Sequence, residues 1–171
     1  MPPEISIALV SLQPPAGNGI RRVAAADMHV TLHFLGSAER RRVSLAMQTV
    51  TASGFTVRLT NPGHFSLRGG RSVLWVGIEP APALTELHAS VGRALVSADF
   101  EPESRPYVPH ITVARLGAGV PQVLCETFEQ RALPEGVASF PCNRFALFAS
   151  QAAPKGVRYR ELESYPLPGS H

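Results

Sequence analysis

The stretch HVTLHFLG at residues 29–36 recurs as HITVARLG at residues 110–117, keeping the His, the Thr, a Leu and the Gly. Both copies read as strands, and side chains alternate along a strand, so positions i and i+2 share a face. His29, Thr31 and His33 would then form a polar front, with Val30, Leu32 and Phe34 behind. His110 and Thr112 repeat the pattern against Ile111 and Val113. A polar front buried without partners costs about 1–3 kcal/mol per unsatisfied group. The fold must therefore turn these fronts toward a cleft, where water or a ligand satisfies them.

The surrounding sequence alternates strand and helix patterns. Segments 4–12, 28–36, 55–60, 72–79, 108–117, 138–150 and 157–167 read as strands, and 37–53, 82–98 and 121–133 as helices. Ser37 is the expected N-cap of the first helix, and NPGHFSLRGGR and residues 151–156 are expected loops. Because each His-x-Thr strand precedes a Gly and then a helix, an α+β fold is expected. Its two pseudo-symmetric lobes of antiparallel sheet and helices would flank a central cleft, and residues 1–171 would form one such domain.

Composition limits the partners. The chain has 171 residues, 44% hydrophobic and 17% charged, with a net charge of +3. No apolar run approaches the ~18 residues of a membrane span, and no signal peptide is recognised. A cytoplasmic protein without membrane contact is expected. Cys125 and Cys142 have no partner motif and read as reduced thiols. The basic run Arg40–Arg41–Arg42 reads as a solvated helix face, so duplex DNA is not an expected partner. A monomer is the default expectation.

Two histidines facing one phosphate suit acid–base chemistry. Histidine titrates near 6.5, so one neutral ring can take a proton from water while a protonated ring gives one to a leaving oxygen. The hydroxyls of Thr31 and Thr112 can donate to non-bridging phosphate oxygens. No metal or cofactor is expected: there is no HExxH or aspartate cluster, and His29 and His33 stand ~13 Å apart on a strand. His33 reads as a flank of the cleft. His64 in a loop, His88 on a helix and His171 at the terminus read as surface or packing residues. Phe65 and Trp75 could stack a base or fill the core. Alternation puts Arg115 on the face of Ile111 and Val113, away from the histidines.

HVTLHFLG together with RPYVPHITVARLG resembles the paired signatures of the two-histidine (2H) phosphoesterases. The nearest group is the RNA 2′,3′-cyclic phosphodiesterases, also called 2′-5′ RNA ligase-like. GHF and SVLWVGI between the motifs extend the likeness over about residues 28–117. It implies a bilobal fold with both motifs in a cleft, and opening of a 2′,3′-cyclic phosphate to a 2′-phosphate without metal. Substrates would be RNA 3′ ends or small cyclic nucleotides. By this resemblance His29 is the acid for the departing 3′ oxygen, His110 the base for water, and Thr31 and Thr112 hold the phosphate. Arg115 matches an Arg often seen in the family, which makes it a candidate substrate contact with Phe65. The motifs read the phosphate and not what it is attached to. Cleavage of 2′-5′ oligoadenylate or ADP-ribose cyclic phosphate, RNA ligation, and a non-catalytic nucleotide-binding module are the alternatives. The short glycine-containing stretch before His29 departs from relatives with a fuller helix there. That bears on how the far end of a substrate is held and points away from long RNA.

Overall fold

A computed structural model describes residues 1–101, 103, 105–153 and 156–169. In chain order the elements are α1 (Pro3–Val10), β1 (Ile20–Arg22), a 3-10 turn (Ala25–Asp27), α2 (Arg40–Met47), β2 (Phe55–Leu67), β3 (Arg71–Ile78), α3 (Pro82–Ser97), β4 (His110–Leu116), α4 (Val123–Glu129), β5 (Ser139–Cys142), β6 (Arg144–Ala153) and β7 (Gly156–Pro166). An antiparallel five-stranded sheet runs β1-β4-β3-β2-β5, and β6 pairs with β7 in a separate two-stranded sheet.

Two hydrophobic clusters give the α+β fold its two lobes. The first gathers Leu9 of α1, Leu74 and Val76 of β3, Ile111 of β4 and Phe128 of α4 behind the five-stranded sheet. The second gathers Val43 of α2, Leu87, Val91 and Leu95 of α3, and Phe145 and Tyr165 of the β6–β7 hairpin. The lobes are unequal, five strands against two. Among the described residues no helix is long and apolar enough to cross a membrane.

Several expectations about local structure are corrected. In place of the strand expected over 4–12, Pro3–Val10 is helical. Ile5, Leu9 and Leu12 are buried while Ile7 is exposed. That spacing fits one helix face, and Pro3 in the first turn needs no N–H partner. Residues 28–36 form no regular strand; their one ladder contact is the bridge Val30–Ile111. Helix α2 is shorter than 37–53 and is preceded by Glu39, not Ser37, at its N-cap. NPGHFSL belongs to β2 and is no loop. Pro62 sits at the register shift where β2 leaves β5 and joins β3, a place that tolerates a missing N–H. The chain then reverses at Gly69 and Gly70, both at positive φ. The expected loop at 151–156 is also narrower, since Ala153 already pairs with Gly156.

The arginine run behaves as a helix face. Arg40 pairs with Glu163 and Arg42 with Asp99. Glu163 also accepts from Ser44 and Tyr165, which ties α2 to the hairpin. Cys125 and Cys142 are free thiols.

Candidate active site

The site begins at the bridge between Val30 and Ile111. Its antiparallel register sets His29 level with Thr112 and Thr31 level with His110. Val30 and Ile111 pack into the sheet's core, so alternation turns the four polar residues to the opposite face as a two-by-two array. The first motif therefore continues the edge begun by β1. Arg22 pairs with Ala114 and the Val23 amide donates to Val113, then the 3-10 turn loops out before Val30 returns to β4.

Both imidazoles are held in the same way. Nδ1 of His29 lies 2.7 Å from the Asp27 carbonyl, and Nδ1 of His110 lies 2.7 Å from the Val108 carbonyl. A carbonyl oxygen only accepts, so each Nδ1 carries the proton and donates. Each Nε2 is thereby left with its lone pair available when the ring is neutral. Among the described residues neither Nε2, nor the hydroxyl of Thr31 or Thr112, has a protein partner.

Electrostatics distinguishes the two rings. Burial is the main cause that lowers both histidines below their ordinary pKa, and the Arg115 guanidinium lowers both further. The Asp27 and Val108 carbonyls push back on His29 and His110 respectively. Only His29 also has a carboxylate, that of Asp27, favouring its protonated form. Asp27 is itself fixed by Arg158 at 3.3 Å and by the Tyr159 amide at 3.3 Å. These contacts bring the β6–β7 hairpin over His29, where Tyr159 meets the ring edge-on at 4.5 Å and Phe148 stacks at 6.0 Å.

Arg115 shares the front of the sheet with His110 and Thr112, against simple alternation. Leu74 pairs with Ala114 but Trp75 pairs with Thr112, so Val113 is an extra residue in β4. One inserted residue reverses alternation beyond it. Hence Val113 and Ala114 are both buried and Arg115 is exposed beside Val73 on the front. The bulge is held from behind by Gln13, whose amide donates to the carbonyls of Val113 and Val23.

Phe65 lies on the same front. Its ring is 5.0 Å from His110 and 5.0 Å from Trp75. Trp75 fits because Gly63 and Gly77 beneath it lack a Cβ; a Cβ added at Gly63 would strike the indole, and one at Gly77 would crowd it and the Thr60 hydroxyl. His33 packs against α3. Its Nε2 donates to the His88 carbonyl at 2.9 Å and its ring stacks on His88, which in turn stacks on Tyr107. His64 is on β2, not in a loop, and pairs with Glu129 of α4 at 2.7 Å. His171 lies outside the described residues. Sequence reasoning missed Asp27, Tyr159 and Gln13. A lone amide at the end of an apolar run is a signal for Gln13, but nothing local connects residue 159 to residue 29.

A family model described as the 2′-5′ RNA ligase superfamily matches residues 1–153. Among curated relatives, an RNA 2′,3′-cyclic phosphodiesterase of Escherichia coli K12 is 31% identical over 158 residues, covering 90% of this chain and 82% of that protein. One from Thermus thermophilus is 30% identical and covers 100% of this chain and 88% of that one. A relative of the same name from Geobacillus stearothermophilus is 31% identical, and the match spans 84% of this chain but only 46% of that protein's length. The crystal structure of Escherichia coli LigT with 3′-AMP superposes with a TM-score of 0.78 at 27% identity, covering 98% of this chain and 93% of that one. The motifs, the fold and these matches agree, and the chain belongs to the 2′-5′ RNA ligase superfamily of 2H phosphoesterases.

Proposed function

We propose that the protein hydrolyses a 2′,3′-cyclic phosphate, on RNA ends or nucleotides, to a 2′-phosphate. The observation that carries this reading is the array of His29, Thr31, His110 and Thr112, with both Nδ1 atoms anchored and both Nε2 atoms available. In the reaction, Nε2 of neutral His110 takes a proton from water as its oxygen bonds to phosphorus. The bond from phosphorus to O3′ breaks, and Nε2–H of protonated His29 delivers a proton to O3′. Thr31 and Thr112 donate to the non-bridging oxygens as charge gathers on them. The Asp27 carboxylate supports His29 as the acid, since it favours the protonated ring, whereas no carboxylate acts on His110. All four residues come from one chain, so no second copy is required, and we assign the activity to a cytoplasmic monomer acting on RNA ends.

The test is incubation of purified protein with a nucleoside 2′,3′-cyclic phosphate in excess EDTA, with the product identified by phosphorus NMR. A 2′-phosphate is expected. Loss of turnover in EDTA would remove the metal-free mechanism, and a 3′-phosphate product would reverse the leaving-group assignment. His29→Asn and His110→Asn should each abolish turnover in a folded protein.

A further inference from the structure

Beyond the four-residue array, the same front of the sheet carries a cavity of about 660 Å³ with Arg21, Arg71 and Arg115 on its walls. Three adjacent strands supply them: β1, β3 and β4. Arg21 pairs directly across the ladder with Arg115, and Arg71 lies two residues before Val73, the other partner of Arg115. Like charges directly opposed on a sheet face are destabilising, a cost that a bound anion reverses. No lining residue of the cavity is acidic, and none of the three arginines joins an ion pair among the described residues. The cavity meets the catalytic face at Val73, which is paired with both Phe65 and Arg115.

We propose that this cavity binds the phosphodiester immediately upstream of the cyclic phosphate, so that the preferred substrate is a short single-stranded oligonucleotide rather than a free mononucleotide. The inference rests on the hydrolase reading above. Arg115 stands between the two phosphate positions, while Arg21 and Arg71 serve only the upstream one. Residues before His29 that form no long helix thus have a use: Ala16, Gly19 and Arg21 build one wall of the cavity. Arginine suits the task because its fork bonds two phosphate oxygens at once.

The decisive comparison uses three substrates: a nucleoside 2′,3′-cyclic phosphate, the same molecule with a 5′-phosphate, and a trinucleotide ending in the cyclic phosphate. Wild-type kcat/KM should be about tenfold or more higher for the trinucleotide than for the nucleoside. Arg21→Gln combined with Arg71→Gln should erase that gain and leave the nucleoside rate within about twofold. The salt dependence on the trinucleotide should fall by about 0.7 in log–log slope for each arginine replaced. Equal rates on nucleoside and trinucleotide in the wild type would overturn the proposal, as would equal losses on both in the variant. A full gain from the 5′-phosphate alone would place a phosphate in the cavity but overturn the preference for a strand over a mononucleotide. Failure of every substrate to turn over would count against the hydrolase reading. In that event fluorescence anisotropy with a labelled trinucleotide 2′-phosphate decides the cavity separately: binding must be weakened about tenfold by the double substitution, and unchanged binding overturns the inference.

Discussion

The side-chain amide of Gln13 donates to the carbonyl of Val113 at 2.8 Å, joining residues a hundred positions apart at the bulge that turns Arg115 to the front of the sheet. The same amide donates to Val23 at 2.6 Å, and Gln13 Oε1 accepts from Arg22 at 2.8 Å. Replacing Gln13 by Leu should take the donor from the part-buried Val23 carbonyl and leave Val113 with only the Val23 amide, destabilising the protein by about 1–3 kcal/mol. Denaturant unfolding measures this. A second readout is kcat/KM well below the melting temperature, which should fall because Thr112 and Arg115 flank the bulge. An unchanged unfolding midpoint would show that the amide does not hold it.

The titration of the pair gives a pH prediction. Both histidines lie below the ordinary 6.5, so kcat/KM should describe a bell with its maximum below pH 6.5. A guanidinium disfavours a protonated ring. Arg115→Gln should therefore raise both pKa values and move both limbs to higher pH, besides lowering the rate. The Asp27 carboxylate acts on His29 and in the opposite sense. Asp27→Asn should lower the His29 pKa and draw only the alkaline limb downward, the limb on which an acid loses its proton. Movement of the acidic limb alone would exchange the roles of the two rings.

Stability should follow from the same shifts. A ring whose pKa is lower folded than unfolded takes its proton more readily when unfolded. Above pH 6.5 this has no effect; below it, stability declines as pH falls, through contributions from His29 and His110. Unfolding midpoints measured between pH 7.5 and 5 should drop in the wild type. The drop should be shallower in a His29→Asn/His110→Asn protein, and equal slopes would contradict the burial of these rings.

Gly63 tests the packing behind His110. An alanine there would drive its Cβ into the six-membered ring of Trp75. Displacing an indole that contacts Phe65 should cost about 1–3 kcal/mol and lower kcat, since Phe65 packs edge-on against His110. A Gly63→Ala protein with wild-type midpoint and kcat would mean that Trp75 has room to move.

The array is legible in the sequence because its two halves are locally spelled and alternation is a local rule. The face of Thr112 can be read from its spacing to His110. That of Arg115 cannot, because a bulge depends on the partner strand and on Gln13. Helix α1 reads as a strand because Ile5, Ile7 and Leu9 alternate with Ser6 and Ala8, while the face that is actually buried carries Ile5, Leu9 and Leu12. The hairpin over His29 is invisible for a different reason. Tyr159 and Asp27 meet only through tertiary packing, and neither carries a motif.

The Val30–Ile111 bridge also bears on how the protein acquires its activity. Pairings so far apart in the chain are closed late, after local helices and hairpins have formed, and they slow folding. No fragment that ends before β4 contains more than half of the array. During synthesis the two histidines become a pair only after residues through Leu116 have left the ribosome and the β4 strand has joined the sheet. Recovery of turnover after dilution from denaturant should accordingly lag behind the recovery of helical signal, with the enzyme itself reporting the last step of its own assembly.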